Sequence, residues 1–202
     1  MLTPGQDVRV APAARHWIAR AADPDAKSVA ALQRELHLPL PVCRLLAMRG
    51  YGDVDSARLF LRPRLDQLHD PFALADMKRL VARLGAAIDC PETILVHGDY
   101  DVDGICAASL YTRVLRSLGA RVVPFVPHRL EDGYDFGPAG VRAAAEAGAT
   151  LVLTGDCGTV AHEPIAAAQS LGIDVLVTDH HTPGATLPPA LAIVNPHRAD
   201  CT

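Results

Sequence analysis

The 202-residue sequence has few aromatic residues (4%), no excess of basic residues and no uninterrupted apolar run long enough to cross a bilayer. The missing apolar run predicts that no helix spans a membrane. The first residues also lack the apolar core of a secretory signal. The net charge of −4 at pH 7 argues against a broad surface that follows nucleic-acid phosphates.

Cysteine pairs are also missing. The five cysteines show neither a C-x-x-C pair nor the spacing of a disulfide framework. Reduced thiols in a cytoplasmic protein are the simplest interpretation of this pattern. The cysteines are Cys43, Cys90, Cys106, Cys157 and Cys201.

Three parts of the chain differ in composition. Residues 1–26 are rich in Pro, Ala and Arg without periodicity, which predicts an extended arm. Residues 27–90 show helical periodicity and predict a small helical region. Residues 91–202 alternate between short apolar runs and helical patterns and predict one catalytic lobe. The ending "NPHRADCT" has no acidic or polar tail, so we expect it to be a cut within a larger protein.

Capping residues mark helix boundaries in the helical region. Gly50 is predicted to end one helix, and Asp53 is predicted to be the N-cap of the next. Asp70 followed by Pro71 is a strong start signal. It predicts one long helix over "DPFALADMKRLVARLGAAI".

The second half of the sequence predicts an α/β fold. Apolar runs that resemble strands are "TILVHGD", "ARVVPFVP", "TLVLTGD", "DVLVTDHH" and "LAIVNP". Because helical patterns separate them, we expect an open, mainly parallel β-sheet with helices on both faces. Pro124 lies in the second run, which favours an edge position or a bulge for that strand.

Polar side chains follow three of these strands. In a parallel sheet, the carboxyl ends of the strands meet at one edge, where ligands of open α/β folds bind. We therefore expect these side chains to converge. They are His97, Asp99, Asp101 and Asp103 after the first strand, Asp156 after the third, and Asp179, His180 and His181 after the fourth.

Each cluster alone has a simpler interpretation. "GDCG" is typical of ordinary turns, and "DHH" fits a helix cap followed by surface histidines. "DYDVDG" resembles the start of an EF-hand loop, but Leu110 stands where that loop requires glutamate. Three such clusters at three strand ends together predict a metal site.

The donor types narrow the choice of metal. Carboxylates and imidazoles without thiolate suit Mn²⁺, Mg²⁺ or Zn²⁺, and the excess of oxygen favours Mn²⁺ or Mg²⁺. Four or more carboxylates are too many for one ion with open positions. The pattern therefore predicts two divalent cations bridged by one carboxylate. The positive charge of the cations would offset the repulsion among the aspartates.

The ordered motifs "HGDYDVDG", "TGDCGT" and "TDHH" resemble those of the DHH phosphoesterase superfamily. Within it, the sequence is most similar to the RecJ family of bacterial single-strand-specific exonucleases that digest from 5′ ends. The segments "PHRLEDGY" and "VNPHRADC" and the helical stretch before the first motif support this resemblance. It covers roughly residues 40–202.

The resemblance implies roles at the predicted metal site. The implied roles are His97 and Asp101 on one metal, Asp103 and His180 on the other, Asp156 bridging both, Asp179 orienting a histidine, His181 facing the phosphate, and Asp99 as a ligand or an acceptor behind the ligands. The chemistry implied is two-metal hydrolysis of a phosphodiester. The family also has a fourth metal-binding motif, which would follow beyond this chain.

Two residues are predicted to bind substrate. Arg129 is the candidate for holding a terminal 5′-phosphate, and its alternative is a surface ion pair with Glu131 or Asp132. Tyr134 is expected to stack on a base or to pack the loop. Asp135 stands where the family usually has glycine in "GYGL", and its charge is expected to oppose phosphate binding.

The implied function is metal-dependent digestion of single-stranded DNA from the 5′ end, in DNA repair and recombination. The implied partners are single-stranded DNA with a 5′ end and replication or repair proteins. One alternative is a DHH phosphodiesterase on short oligonucleotides or cyclic dinucleotides, or a manganese pyrophosphatase. The helical stretch before the first motif argues against these. A second alternative is an inactive, truncated module that binds metal or DNA.

Overall fold

The computed structural model describes residues 24–201, so most of the predicted arm over residues 1–26 lies outside the described residues. Contacts divide the chain into two compact units after Leu68. Within the described residues, none of the helices is both long and apolar enough to cross a membrane.

Among its described residues, the unit that ends at Leu68 contains three α-helices. Asp53 accepts a hydrogen bond from the Ser56 backbone N–H at 2.9 Å, which confirms it as an N-cap. Gly50 follows the second helix with a φ of +91°, as a C′ glycine requires. The helices are α1 (Ala26–Leu36), α2 (Leu40–Met48) and α3 (Val54–Leu61). Their shared core consists of Val29, Leu32, Cys43, Leu46 and Ala57.

The second unit is a five-stranded parallel sheet in the order β2-β1-β3-β4-β5. This arrangement confirms the predicted α/β class. β2 lies at an edge, as Pro124 predicted. The strands are β1 (Thr93–Gly98), β2 (Arg121–Phe125), β3 (Leu151–Gly155), β4 (Asp174–Thr178) and β5 (Ala192–Val194). The helices are α4 (Met77–Asp89), α5 (Val102–Ser117), α6 (Pro138–Glu146) and α7 (His162–Ser170).

Helices cover both faces of this sheet. One apolar cluster includes Leu95, Val152 and Val175 of the strands with residues of α6 and α7. The other includes Ile94 and Leu153 with residues of α4 and α5. β1 and β3 are buried along their whole length. This burial on both faces explains why the strands appear in the sequence as continuous apolar runs.

One sequence-based expectation needs correction near α4, and one predicted boundary differs from the division by contacts. The predicted long helix from Asp70 is wrong, because Asp70 caps only a short 3-10 helix, Pro71–Ala73, and α4 begins at Met77. Asp76, with a φ of +60°, separates the two. The boundary after residue 90 also differs from the division after Leu68. The reason is that the apolar face of α4 packs on the sheet.

Two glycines let the end of β1 and the start of α5 lie against each other. A Cβ atom at Gly98 would be 2.3 Å from the Gly104 carbonyl oxygen. A Cβ atom at Gly104 would be 2.3 Å from the Asp99 backbone nitrogen. The tight turn that holds the first aspartate motif therefore depends on the missing side chains at both positions.

Candidate metal centre

The register of the sheet brings three polar strand ends to the same level. Gly98 pairs with Gly155, and Gly155 pairs with Thr178. The residues that follow these strands are therefore neighbours. Asp156 donates its backbone N–H to the Thr178 carbonyl at 3.0 Å. This is the convergence that the sequence predicted from parallel topology.

Two groups of potential ligands lie at this edge. The ligand atoms of each group lie within 4.8 Å of one another. Asp156 belongs to both groups. The groups are Asp99, Asp101 and Asp156, and Asp156, His180 and His181.

The buried carboxylates at this edge have unpartnered oxygens. Oδ1 of Asp99 and Oδ1 of Asp156 are buried, and neither accepts a hydrogen bond from the described residues. Burial raises the pKa of Asp99. Burial, with the charges of Asp103 and Asp101, raises the pKa of Asp156 to about 6. Oxygens in this state fit a divalent cation, because the cation would supply both the missing partner and the missing charge.

Asp156 also has a strained backbone. Its φ of +65° is in the left-handed region, which residues other than glycine rarely adopt. The turn behind it is held by the Thr154 hydroxyl, which donates to the Cys157 carbonyl at 2.7 Å. Strain of this kind concentrates at functional sites, where the surrounding structure holds a side chain in one direction.

Asp101 is the N-cap of α5. Its carboxylate accepts hydrogen bonds from the backbone N–H groups of Asp103 and Gly104 at 2.9 and 3.1 Å. The Gly104 N–H contributes most to lowering the pKa of Asp101. The cap fixes the direction of this carboxylate at the start of the helix.

Asp179 fixes the orientation of His181. Its Oδ1 accepts from His181 Nδ1 at 2.8 Å, and its Oδ2 accepts from the Thr159 backbone N–H at 3.0 Å. Burial acts to raise the pKa of Asp179, but these hydrogen bonds hold it below the ordinary value. The hydrogen bond to Asp179 raises the pKa of His181. His180 stacks on His181, and its Nδ1 lies 3.5 Å from Asp156 Oδ1.

Two predicted ligands lie outside both groups. His97 is fully buried, with its ring against Phe125 and Phe136 and its Nδ1 3.5 Å from Cys157 Sγ. Burial lowers its pKa to about 4, so the ring is neutral, and its Nε2 has no partner among the described residues. Asp103 lies in the first turn of α5. Its charge contributes to the raised pKa of Asp156.

The two predicted substrate residues lie in one chain of contacts. The Arg129 guanidinium carbon lies 5.1 Å from the centre of the Tyr100 ring. The Tyr100 and Tyr134 rings meet edge to face at 6.0 Å. The Tyr134 hydroxyl lies 3.1 Å from His181 Nε2. The contacts therefore connect the loop before α6 to the third motif.

Sequence reasoning missed two residues that support the site. Asn195 is fully buried and donates to the Thr159 hydroxyl at 2.8 Å and to the His181 carbonyl at 2.9 Å. It follows β5, so the strand-end rule that found the other motifs would have found it too. Thr159 follows "GDCG" and had no signal beyond its place in that turn.

Comparisons with known proteins agree with this arrangement. A family model described as "DHH family, N-terminal domain" matches residues 93–202. The single-stranded-DNA-specific exonuclease RecJ of Bacillus subtilis (strain 168) is 38% identical over 179 residues, which are 89% of this chain and 23% of the relative. The chain therefore spans about a quarter of the length of this curated relative.

The chain is also similar to solved structures of RecJ proteins. A structure of exonuclease RecJ bound to manganese matches with a TM-score of 0.61 and 40% identity, covering 67% of this chain and 34% of the other. RecJ from Thermus thermophilus in complex with Mn²⁺ matches with a TM-score of 0.66 and 31% identity, covering 90% of this chain and 25% of the other. Because the family model extends over more than half of the sequence, including all three motifs, the chain belongs to the DHH family.

Proposed function

We propose that the chain is the metal-binding part of an exonuclease that hydrolyses single-stranded DNA from the 5′ end. The observation that carries this proposal is the pair of ligand groups sharing Asp156 at the carboxyl edge of the sheet. The RecJ relatives support the choice of substrate, because their name specifies single-stranded DNA.

The proposed ligands are Asp99, Asp101, Asp103, Asp156 and His180. Their oxygen-rich donor set suits Mn²⁺ or Mg²⁺, and the Mn²⁺ in related RecJ structures supports the first. Two cations held by these residues would supply the activation of a water and the neutralisation of phosphate charge. His97 is proposed as a further ligand, because its buried Nε2 has no partner among the described residues, and its ring packs against Phe125 and Phe136.

His181 is the proposed catalytic contact to the scissile phosphate. Asp179 holds its Nδ1, so Nε2 is the nitrogen left for substrate. Its raised pKa favours the protonated ring, which donates a hydrogen bond to a phosphate oxygen. In this structure the Tyr134 hydroxyl is the partner of Nε2. A bound phosphate would either displace this hydroxyl or contact Nε2 together with it.

Arg129 and Tyr134 are proposed to hold the 5′ end of the strand. Arg129 is exposed and packs over Tyr100. Among the described residues it forms no ion pair with Glu131 or Asp132, the alternative that composition left open. A guanidinium offers a fork of donors that matches phosphate oxygens. The half-exposed Tyr134 offers a ring on which a terminal base can stack.

The biological setting is part of the same proposal. We place the protein in DNA repair and recombination, in the cytoplasm, with replication or repair proteins as further partners. The free thiols of all five cysteines support a reducing compartment. The name shared by the relatives supports a DNA substrate.

The test is digestion of a 5′-phosphorylated single-stranded oligonucleotide by the purified chain with Mn²⁺. The expected result is metal-dependent release of mononucleotides from the single strand and none from a matching duplex. The controls are a 5′-hydroxyl oligonucleotide and the Asp156→Asn variant. Equal digestion of single strand and duplex, or activity only on a dinucleotide, would refute the proposed substrate. Bound Mn²⁺ without digestion would refute catalysis by this chain.

A further inference from the structure

The loop between β2 and α6 contains an aspartate in a conformation that favours glycine. Asp135 has a φ of +70°, and glycine adopts this region without cost. Aspartate tolerates it better than most residues, but still less well than glycine. The side chain at position 135 is therefore not needed for the turn itself.

The carboxylate of Asp135 is also in an unfavourable place electrostatically. It is partly buried, and burial raises its pKa, as do the nearby charges of Asp179 and Asp99. A further negative charge beside the metal centre also opposes a phosphate. A side chain with both costs requires a contact that compensates for them.

That contact is a bridge between two loops. Asp135 Oδ1 accepts hydrogen bonds from the Gly158 backbone N–H at 2.6 Å and from the Phe136 backbone N–H at 2.7 Å. Gly158 belongs to the turn that presents Asp156. The backbone N–H of Asp135 in addition lowers the pKa of Asp99, against the larger effect of burial. Position 135 thus contacts the turns of the first and second motifs.

The same loop carries both proposed substrate residues. Tyr134 is the neighbour of Asp135 in sequence and reaches His181 through its hydroxyl. Arg129 lies earlier in the loop, over Tyr100. Among the described residues, the other side-chain bond within this loop joins Asp132 to the His128 backbone N–H and stays inside the loop. Tyr134 therefore joins the loop to the third motif, and Asp135 is the side chain that joins it to the Gly158 turn of the second motif.

We propose that Asp135 is a positioning residue that fastens the loop carrying Arg129 and Tyr134 to the Gly158 turn, so that the grip on the 5′ end is held at a fixed distance from the metal centre. The substrate part of this inference rests on the proposed function. The fastening itself does not.

Two substitutions separate fastening from charge. Asp135→Gly keeps the backbone conformation and removes both hydrogen bonds. Asp135→Asn removes the charge but keeps an oxygen that accepts them. Glu131→Gln is the matched control, because Glu131 is exposed in the same loop and its contact is with His128 at 3.9 Å.

The first measurement is cleavage by trypsin after Arg129, followed as the appearance of the fragment that starts at Leu130. Losing the hydrogen bond to the Gly158 turn should make loop opening, and therefore cleavage, about tenfold more frequent in Asp135→Gly. Asp135→Asn and Glu131→Gln should be cleaved at the rate of the unmodified chain. This measurement needs no nuclease activity.

The second measurement is the steady-state kinetics on a 5′-phosphorylated single strand. Asp135→Gly should raise KM about fivefold with kcat within about twofold, because the loop grips substrate but takes no part in the bond cleavage. Asp135→Asn should have the same KM as the unmodified chain. A general loss of structure would lower kcat as well and would not be rescued by asparagine.

The outcomes distinguish the two proposals. Equal trypsin rates in all four proteins would overturn the fastening, whatever the activity. Lower KM in both Asp135 variants would overturn it in favour of a repulsive charge. Faster cleavage confined to Asp135→Gly, in proteins that all lack nuclease activity, would support the fastening and reject the proposed function.

Discussion

Carboxylates lie at both ends of β1 and β4, but in the part of the chain that the structure describes only those at the amino ends of these strands pair with an arginine. At the amino ends of β1 and β4, Arg83 binds Glu92 with its Nη2 at 2.8 Å and Asp174 with its Nε at 2.6 Å. The Thr150 hydroxyl, before β3, also donates to Glu92. At the carboxyl ends, no Lys or Arg among the described residues pairs with Asp99, Asp101, Asp156 or Asp179.

This difference separates a structural cluster from a binding site. Arg83 lowers the pKa of Glu92, so that cluster is complete within the chain. The pKa values of Asp156 and Asp99 are raised by burial, so their edge is favourable only when positive charge arrives from outside. The ion pairs at the amino ends of the strands therefore stabilise the metal-free chain, whereas the unpaired carboxylates at the carboxyl ends destabilise it.

The largest expected effect comes from neutralising the shared ligand. Asp156→Asn should weaken Mn²⁺ binding by about a hundredfold or more, because the loss of a ligand exceeds the effect of losing its supports. The same change should raise the stability of the metal-free chain, since it removes a buried charge from beside Asp101 and Asp103. Calorimetric titration and urea unfolding with chelator measure the two effects. The control is Glu146→Gln, an exposed residue of α6. Unchanged Mn²⁺ affinity would contradict the assignment.

Removing the arginine at the opposite end should give the reverse result. Arg83→Met leaves Glu92 and Asp174 without their cation and should lower the free energy of unfolding by about 2 kcal/mol, less than for a fully buried pair because Asp174 is partly exposed. Mn²⁺ affinity should not change. Urea unfolding and calorimetric titration of the variant test this contrast, and a loss of Mn²⁺ binding without a loss of stability would break it.

A buried amide should support the carboxyl edge without charge. Asn195→Ala leaves the His181 carbonyl and the Thr159 hydroxyl without their donor, and should cost about 2 kcal/mol of unfolding free energy. Nuclease activity should fall more than Mn²⁺ affinity, because His181 is displaced while the carboxylates remain. Gln169→Ala, which removes an exposed amide of α7, is the control. An equal fall in both quantities would mean that Asn195 supports the whole edge.

The pH dependence of the metal-free protein gives the most specific effect. Asp156 has a folded pKa of about 6 against an ordinary 3.8, so the folded state holds its proton more tightly. Its contribution to stability is therefore present at low pH and is lost as the pH rises from about 4 to about 6. His97, with a folded pKa of about 4, changes the stability with pH in the opposite direction, and it does so in the unmodified chain and in Asp156→Asn alike. The stability difference between the unmodified chain and Asp156→Asn isolates the first effect. A difference that does not change with pH would contradict it.

The fold could be predicted because several levels of the sequence agree. Continuous apolar runs, helical spacing between them and Pro124 all favour one parallel sheet with β2 at an edge. The predicted start of α4 was wrong because Asp70 and Pro71 begin only a single 3-10 turn. A local start signal does not specify how far a helix continues, which depends here on packing against the sheet.

For the site, parallel topology predicts which residues lie near one another but not how their side chains are oriented. The strand-end rule places Asp99, Asp101, Asp156 and the two histidines together, with Asp179 bonded to His181. It does not determine the direction of a side chain, and the His97 ring lies between Phe125 and Phe136, outside both ligand groups. The contact of Asp135 depends on a left-handed backbone and on a partner 23 positions later, and no local pattern shows either.

The close approach of β1 and α5 has a consequence for how this sequence can vary. Gly98 and Gly104 are required for space and not for backbone freedom, since each faces the backbone of the other segment. In a library that randomises the first motif, replacements of the aspartates should give folded proteins that no longer bind metal. Replacements of either glycine should instead fail to accumulate as folded protein at all. These two positions are thus expected to limit mutational tolerance more strictly than the proposed metal ligands.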